Sequence, residues 1–339
     1  MPEPPWPRIS EGAVFRPWHL ARGHAHVAVD CAPSAGTELV LSHWPAAGTP
    51  ARWEDDTSAL IADRYLRDPP DGGRAVDVLT CDHYDEDGLF ALWLLLERPC
   101  EGDPRRALAI AGAEAGDFGT WTDPAAARAA IAAMRMAERH ATPFPDVARI
   151  LASVRDRDPA GDLYAAILPR VGRLLDDPDR FRLLWAPDWR RVEEDAALLD
   201  AGDARVREVP EADLAIVEAP RALHDMAVHP RTARMRVLTA LDDGTLHLRH
   251  RYETWVRYVS RPLAPRVELA GLARRLQRLE RRPGTWVAEE MAVIRPMVYL
   301  RGPAAGPAPS SIGADRFAAE LVAALRDADR GDPGMVGPG

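Results

Sequence analysis

The segment His83-Tyr84-Asp85-Glu86-Asp87-Gly88 sets a histidine and two aspartates at alternate positions and closes on a glycine. Asp82 precedes it, so four acidic side chains fall within residues 82–87. Such crowded charges repel, and a helix N-terminus offsets only about 0.3–1 kcal/mol per charge. A divalent cation offsets far more. His83, Asp85 and Asp87 supply the nitrogen and oxygen donors that a hard or borderline ion takes, and Gly88 permits a sharp turn out of the loop. A calcium EF-hand loop starting at His83 is excluded, because its twelfth position needs a bidentate glutamate and holds Leu94. A solvated acidic turn is the alternative.

The flanking elements give the loop its position. Val76 to Cys81 reads as a buried strand, and Leu89 to Leu96 is apolar all round, as in a helix held between two layers. The loop therefore sits at the carboxyl edge of a sheet, where open α/β folds keep their sites. Further strands are predicted near His26 to Asp30, Glu38 to Ser42 and Ala107 to Ala111. Helices are predicted near Glu54 to Leu66, Leu89 to Glu97, Pro124 to Arg139 and Leu163 to Leu175. This alternation predicts an α/β fold, a mostly parallel sheet with covering helices. In such a sheet His43 and Trp44 reach the same edge as the acidic loop. His43 is then a ligand or general base and Trp44 a stacking wall, or the two are an ordinary half-buried pair. His140, Asp146, His224 and His229 are weaker candidates to join them, with His140 taken as a second catalytic residue; a lone histidine is more often structural.

After Trp185 and Trp189 the pattern turns strand-rich, with Arg205 to Val209, Asp213 to Glu218, and a hairpin of Met235 to Leu241 and Thr245 to Tyr252 about Asp242-Asp243-Gly244. Helices are expected near Glu268 to Arg281 and Arg316 to Arg326. The expected division is residues 1–200 as the α/β domain and 201–300 as a smaller α+β domain. Residues 301–339 would be a proline-rich linker, a terminal helix and a tail disordered from Gly331. Alternation along Thr245 to Tyr252 puts Arg249 and Arg251 on one face, where they could grip a phosphate; an exposed charged face is the alternative.

The 339 residues suggest two packed units. A formal charge of -9 argues against a coat for duplex DNA. All 43 basic residues counted as Lys or Arg are arginine, so a P-loop lysine and a pyridoxal Schiff base are both excluded. No apolar run is long enough to span a bilayer, so no membrane partner is expected, and the start lacks the layout of a signal peptide. Three scattered cysteines make no disulfide framework. A cytoplasmic address follows as the expectation.

The strand, the His-x-Asp-x-Asp-Gly pattern and the apolar helix, over residues 76–97, resemble the first motif of the DHH phosphoesterase superfamily. Its members include RecJ-type exonucleases, nanoRNA-degrading phosphatases and manganese pyrophosphatases. The resemblance implies a DHH-like fold and a divalent metal, manganese over magnesium, on His83, Asp85 and Asp87. Asp117, in Ala115-Gly116-Asp117-Phe118-Gly119, would be the lone aspartate of the second motif at the end of the next strand. A small phosphorylated molecule or short oligonucleotide would be the partner. The Asp-His-His segment and the Gly-Gly-Gly-His loop of that superfamily are missing here. The whole chain, with Leu41-Ser42-His43-Trp44-Pro45 and Arg251-Tyr252-Glu253-Thr254-Trp255, also resembles an uncharacterised bacterial family of unknown function. The expectation is a metal-dependent hydrolase of a phosphate ester or phosphoanhydride; the alternative is a non-catalytic ligand-binding or interaction protein.

Overall fold

The structure, a computed structural model, describes residues 6–153, 159–304 and 306–331. The chain divides into two units, residues 1–190 with 256–260, and residues 191–255 with 261–339.

The first unit runs β1 (Arg8–Phe15), α1 (Trp18–Ala21), β2 (His26–Val29), β3 (Thr37–Leu41), α2 (Ser58–Arg67), β4 (Ala75–Thr80), α3 (Glu86–Glu97), α4 (Pro104–Phe118), α5 (Pro124–Met136), α6 (Pro145–Ser153) and α7 (Ala160–Asp176). Its strands are all parallel, in the order β1-β4-β2-β3. Parallel neighbours ordinarily need a dozen or more connecting residues, yet β2 reaches β3 through residues 30–36 alone. The connection suffices because β2 is only four residues long, about 13 Å, while seven extended residues reach about 23 Å. The short path bends the chain sharply. Asp30 takes φ 53° and Gly36 φ 92°, and a Cβ on Gly36 would overlap the His24 carbonyl. Asp30 is thereby held at the carboxyl edge in a conformation that few side-chain-bearing residues adopt.

Helix α3 is buried from Leu89 to Leu95 on every side, packed by α2, α4 and α7. Each fully buried Leu or Phe there contributes about 1.5–3 kcal/mol, which fixes the helix and so the loop before it. The strand predicted at Ala107 to Ala111 is instead the middle of α4. Asp103 caps that helix by accepting from the Arg105 N–H at 2.9 Å, and Pro104 occupies its first turn. With an alanine-rich interior, these signals favour helix over the apolar look of a strand. Asp117 therefore lies in the last turn of a helix and not at a strand end.

The expected boundary near residue 200 falls in α8 (Arg182–Ala201), within which the units meet along the chain. The second unit continues with β5 (Arg205–Val209), β6 (Leu214–Ala219), α9 (Asp225–Val228), β7 (Arg236–Leu241), β8 (Leu246–His250), α10 (Ala270–Leu279), β9 (Thr285–Ala288), β10 (Met297–Arg301) and α11 (Ala314–Gly331). Its mixed sheet has the order β5-β6-β7-β8-β10-β9, with only β6 and β7 parallel. Helix α11 is not set apart. Phe317 and Leu321 of α11 pack with Leu272 and Leu276 of α10 against Ile216, Leu238, Leu248 and Leu300. The predicted disordered tail lies, beyond residue 331, outside the described residues. Among the described residues no helix is long and apolar enough to cross a membrane.

Candidate metal centre

Four segments converge at the carboxyl edge of the parallel sheet. Asp30 follows β2, His43 follows β3, residues 82–88 follow β4, and Asp117 comes from the end of α4. Asp30 and His43 are each 1% exposed, Asp87 0% and Asp117 7%, so these charges have been taken out of water.

His43 sets the geometry. Its Nδ1 lies 2.7 Å from the carbonyl oxygen of Asp56, an atom that only accepts, so Nδ1 carries the hydrogen and a neutral ring turns its Nε2 lone pair the other way. Nε2 then faces Asp30 Oδ1 at 3.5 Å, Asp117 Oδ2 at 3.5 Å and Asp87 Oδ2 at 3.6 Å. A lone pair turned toward three carboxylate oxygens is repulsive unless a proton or a metal cation stands between them. Donor atoms about 2.1 Å from one ion lie about 3.0 Å apart at octahedral and about 3.4 Å apart at tetrahedral angles, so the spacing suits a shared ion.

The carboxylates are held as firmly. Asp87 stands in the first turn of α3, yet its two oxygens accept the N–H groups of Ser58 at 2.7 Å and Ala59 at 2.8 Å, which open α2. Asp30 Oδ1 accepts from Ser58 Oγ at 2.6 Å. Asp85 caps α3, accepting the Gly88 N–H on Oδ1 at 2.9 Å. Its Oδ2 is 2.8 Å from His83 Nε2, and Asp30 Oδ2 is 3.4 Å from the same nitrogen. His83 Nδ1 meets Asp82 Oδ1 at 3.0 Å, a partner of the kind that orients metal-ligating imidazoles.

These atoms sort into two adjacent groups. Asp30, His43 and Asp87 bring ligand atoms within 4.8 Å of one another, as do Asp30, Cys81 and His83. Asp117 adds an oxygen beside His43 Nε2 and Asp85 one beside His83 Nε2, and Asp30 turns one oxygen to each histidine. A single point shared by His83, Asp85, Asp87 and Asp117, as the motif alone suggests, is not the arrangement observed. Burial, then the charges of Asp85 and Asp87, pushes the Asp30 carboxyl well above its ordinary range. Burial and Asp87 do the same to Asp117, and burial raises Asp87 against the opposing pull of His43. Burial would raise Asp85 too, but the charge and bond of His83 bring it below the usual value. For His83 burial works downward, and Asp85, Asp30 and Asp82 outweigh it, so the ring is raised.

Aromatic rings border this edge. The Trp44 ring lies 4.9 Å from that of His83. Tyr164 of α7 is fully buried, and its ring lies between Phe15 and Tyr84, at 5.2 Å and 5.0 Å. A Cβ on Gly88 would collide with the Tyr164 hydroxyl and lie 3.0 Å from Asp30 Oδ2, so only glycine fits there.

His140 is exposed on the turn after α5, outside the buried cluster. Arg249 and Arg251 belong to the second unit. Arg249 is ion-paired with Asp225. Arg251 lies beyond the end of β8, is 4% exposed, pairs with Glu253 and donates to the Thr232 carbonyl at 3.0 Å, so it is a core residue and not an exposed clamp. Asp30, absent from the sequence-based candidates, is central. Its signal was the short apolar strand His26-Val27-Ala28-Val29 ending in an acid, the same layout that precedes Asp82.

Fold and site together describe an α/β protein with a parallel sheet, a mixed sheet and a buried carboxylate-histidine cluster at the parallel sheet's carboxyl edge. The chain belongs to a family of unknown function, DUF6687, whose model matches residues 12–333. No curated protein and no solved structure matches it.

Proposed function

We propose that this protein is a metal-dependent hydrolase of a phosphate ester or phosphoanhydride, in which Asp30 would help to hold divalent metal on both sides of the cluster. The observation that carries the reading is His43, whose Asp56-bonded ring turns Nε2 toward three buried carboxylate oxygens at 3.5–3.6 Å. His43, Asp87 and Asp117 would hold one ion, His83 and Asp85 the other. Two imidazoles among the donors favour manganese over magnesium, which prefers oxygen alone. Such ions lower the pKa of a water they hold and screen the oxygens of a phosphoryl group. His43 is then a ligand and not a general base, and Asp82 keeps His83 in its ligating orientation. Trp44, beside His83, would wall the substrate. The likeness of residues 76–97 to the first DHH motif supplies the phosphate ester as substrate class and a DHH-like sheet as framework, with Asp30 and His43 standing in for an Asp-His-His segment. A small phosphorylated molecule or short oligonucleotide is the substrate we favour, and scarce, unpaired cysteine supports a cytoplasmic address.

The test is to strip the purified protein with a chelator, titrate manganese and magnesium while following melting temperature and bound metal, and screen phosphomonoesters, dinucleotides and pyrophosphate. We expect a stoichiometric manganese load, a rise in melting temperature and turnover. Metal without turnover would favour the non-catalytic alternative, and wild-type protein that takes up no metal would end the proposal.

A further inference from the structure

Residues 256–260 belong to the first unit although the chain on both sides of them, 191–255 and 261–339, belongs to the second. This short segment meets the metal centre's framework at three places. The Arg257 N–H donates to the carbonyl of His43 at 2.7 Å. The N–H groups of Val259 and Ser260 both donate to Asp56 Oδ1, at 2.6 and 2.9 Å. The Tyr258 ring packs on Phe118, the neighbour of Asp117, at 5.5 Å.

Asp56 links these contacts to the ligand. Its side chain, 8% exposed, gathers the two N–H groups, while its own carbonyl fixes His43 Nδ1. Both ends of His43, ring and backbone carbonyl, are thus tied to one assembly of Asp56 and residues 257–260. A buried carboxylate accepting two backbone N–H groups is a strong, charge-assisted pin. It fixes the Asp56 peptide from the side-chain end, as the bond from the Asp56 N–H to Asp55 Oδ1 at 2.8 Å does from the backbone.

We infer that residues 256–260 position His43 through Asp56, so that the strength of the metal centre depends on chain delivered from within the second unit. Asp56 is a positioning residue, acting on the ion only through His43. The inference rests on the metal-centre reading for its consequence but not for its first measurement, which needs no metal.

The experiment compares wild type, Asp56→Ala and Asp56→Asn as full chains. In metal-free protein, imidazole 15N shifts report the His43 tautomer and amide exchange reports Arg257. Asp56→Ala is expected to mix the tautomers and to expose the Arg257 amide, whose own acceptor is His43 and not Asp56. Asp56→Asn keeps an oxygen that can accept both N–H groups, and should restore both signals. In a manganese titration Asp56→Ala should bind about 10-fold more weakly, as for other losses of a ligand's supporting partner, with Asp56→Asn recovering most of the affinity. If Asp56→Ala keeps the Nδ1–H tautomer and a protected Arg257 amide, the positioning role is overturned. If wild type binds no manganese but Asp56→Ala shifts the tautomer, the segment's role stands and the metal reading falls.

Discussion

Asp87 accepts the N–H groups that open α2 while one of the same oxygens faces His43, so its charge serves a helix as well as the proposed ion. Charge crowding alone predicts that neutralising any carboxylate of the cluster stabilises the metal-free protein. The bonds to Ser58 and Ala59 reverse that sign for Asp87. An amide offers one oxygen to two N–H groups and turns its NH2 toward the other, so Asp87→Asn should cost about 1–3 kcal/mol. Asp117→Asn relieves a carboxyl already pushed upward by burial, and should raise the metal-free melting temperature by about 2–4 °C. Both should abolish the manganese-induced rise; thermal melts of the two variants check the opposite signs. The pH dependence follows from the same groups. A carboxyl raised on folding contributes stability that is complete below its unfolded value, about 3.9, and is lost as pH climbs through the folded value. Asp30, Asp87 and Asp117 behave so, and His83, also raised, acts in the same direction above its unfolded value of about 6.5. Asp85, held low, opposes them only below about pH 4. Metal-free protein should therefore melt higher as pH falls from about 8 to about 5, whereas manganese-saturated protein should melt lower, because protons compete for the ligands. Parallel slopes with and without manganese would mean that ion and carboxylates do not share a site.

The element that ties these residues together is α3, whose first turn carries Asp87 and Gly88 and whose remainder is core. Alanine in place of a helical glycine ordinarily gains up to about 1 kcal/mol. At position 88 the added Cβ meets the Tyr164 hydroxyl, Asp30 Oδ2 and Asp85 Oδ1, so Gly88→Ala should instead lose about 1–3 kcal/mol and weaken manganese uptake. Adding Tyr164→Phe should return part of the stability, and denaturant melts of the single and double variants would measure the recovery. The acidic loop and α3 were legible in the sequence because a run from Leu89 to Leu96 without a polar face has few other homes. The hairpin of β7 and β8 was legible through its alternation and its Asp-Asp-Gly turn. Helix α4 was not, since Ala107-Leu108-Ala109-Ile110-Ala111 carries no periodicity to tell helix from strand, and the capping Asp103-Pro104 was the better guide. Strands β9 and β10 were not read from the sequence, although β2, no longer than β9, was. Asp30 and His43 were hidden or half-hidden for another reason: their partnership with Asp87 depends on which strands are neighbours, and strand order is a tertiary fact.

At the scale of the whole chain, the two units should answer differently to substitution. Arg251→Ala leaves the Glu253 carboxylate, 2% exposed, without its cation, which costs about 3–5 kcal/mol. Calorimetry should show a lowered transition with the manganese midpoint unchanged; a selective loss of metal would contradict the burial of this pair within the second unit. The first unit, for its part, is written in two places along the gene. Between residue 190 and residue 260 lie about 70 residues, which a ribosome adds in about 4–14 s. Throughout that interval the parallel sheet and its acidic edge have left the tunnel, while the segment that meets the carbonyl of His43 has not been made. The centre is thus a late product of translation, finished only after the β5 to β8 stretch of its neighbour has been polymerised. A message broken anywhere in that interval yields the proposed ligands without the segment that bonds to the His43 carbonyl.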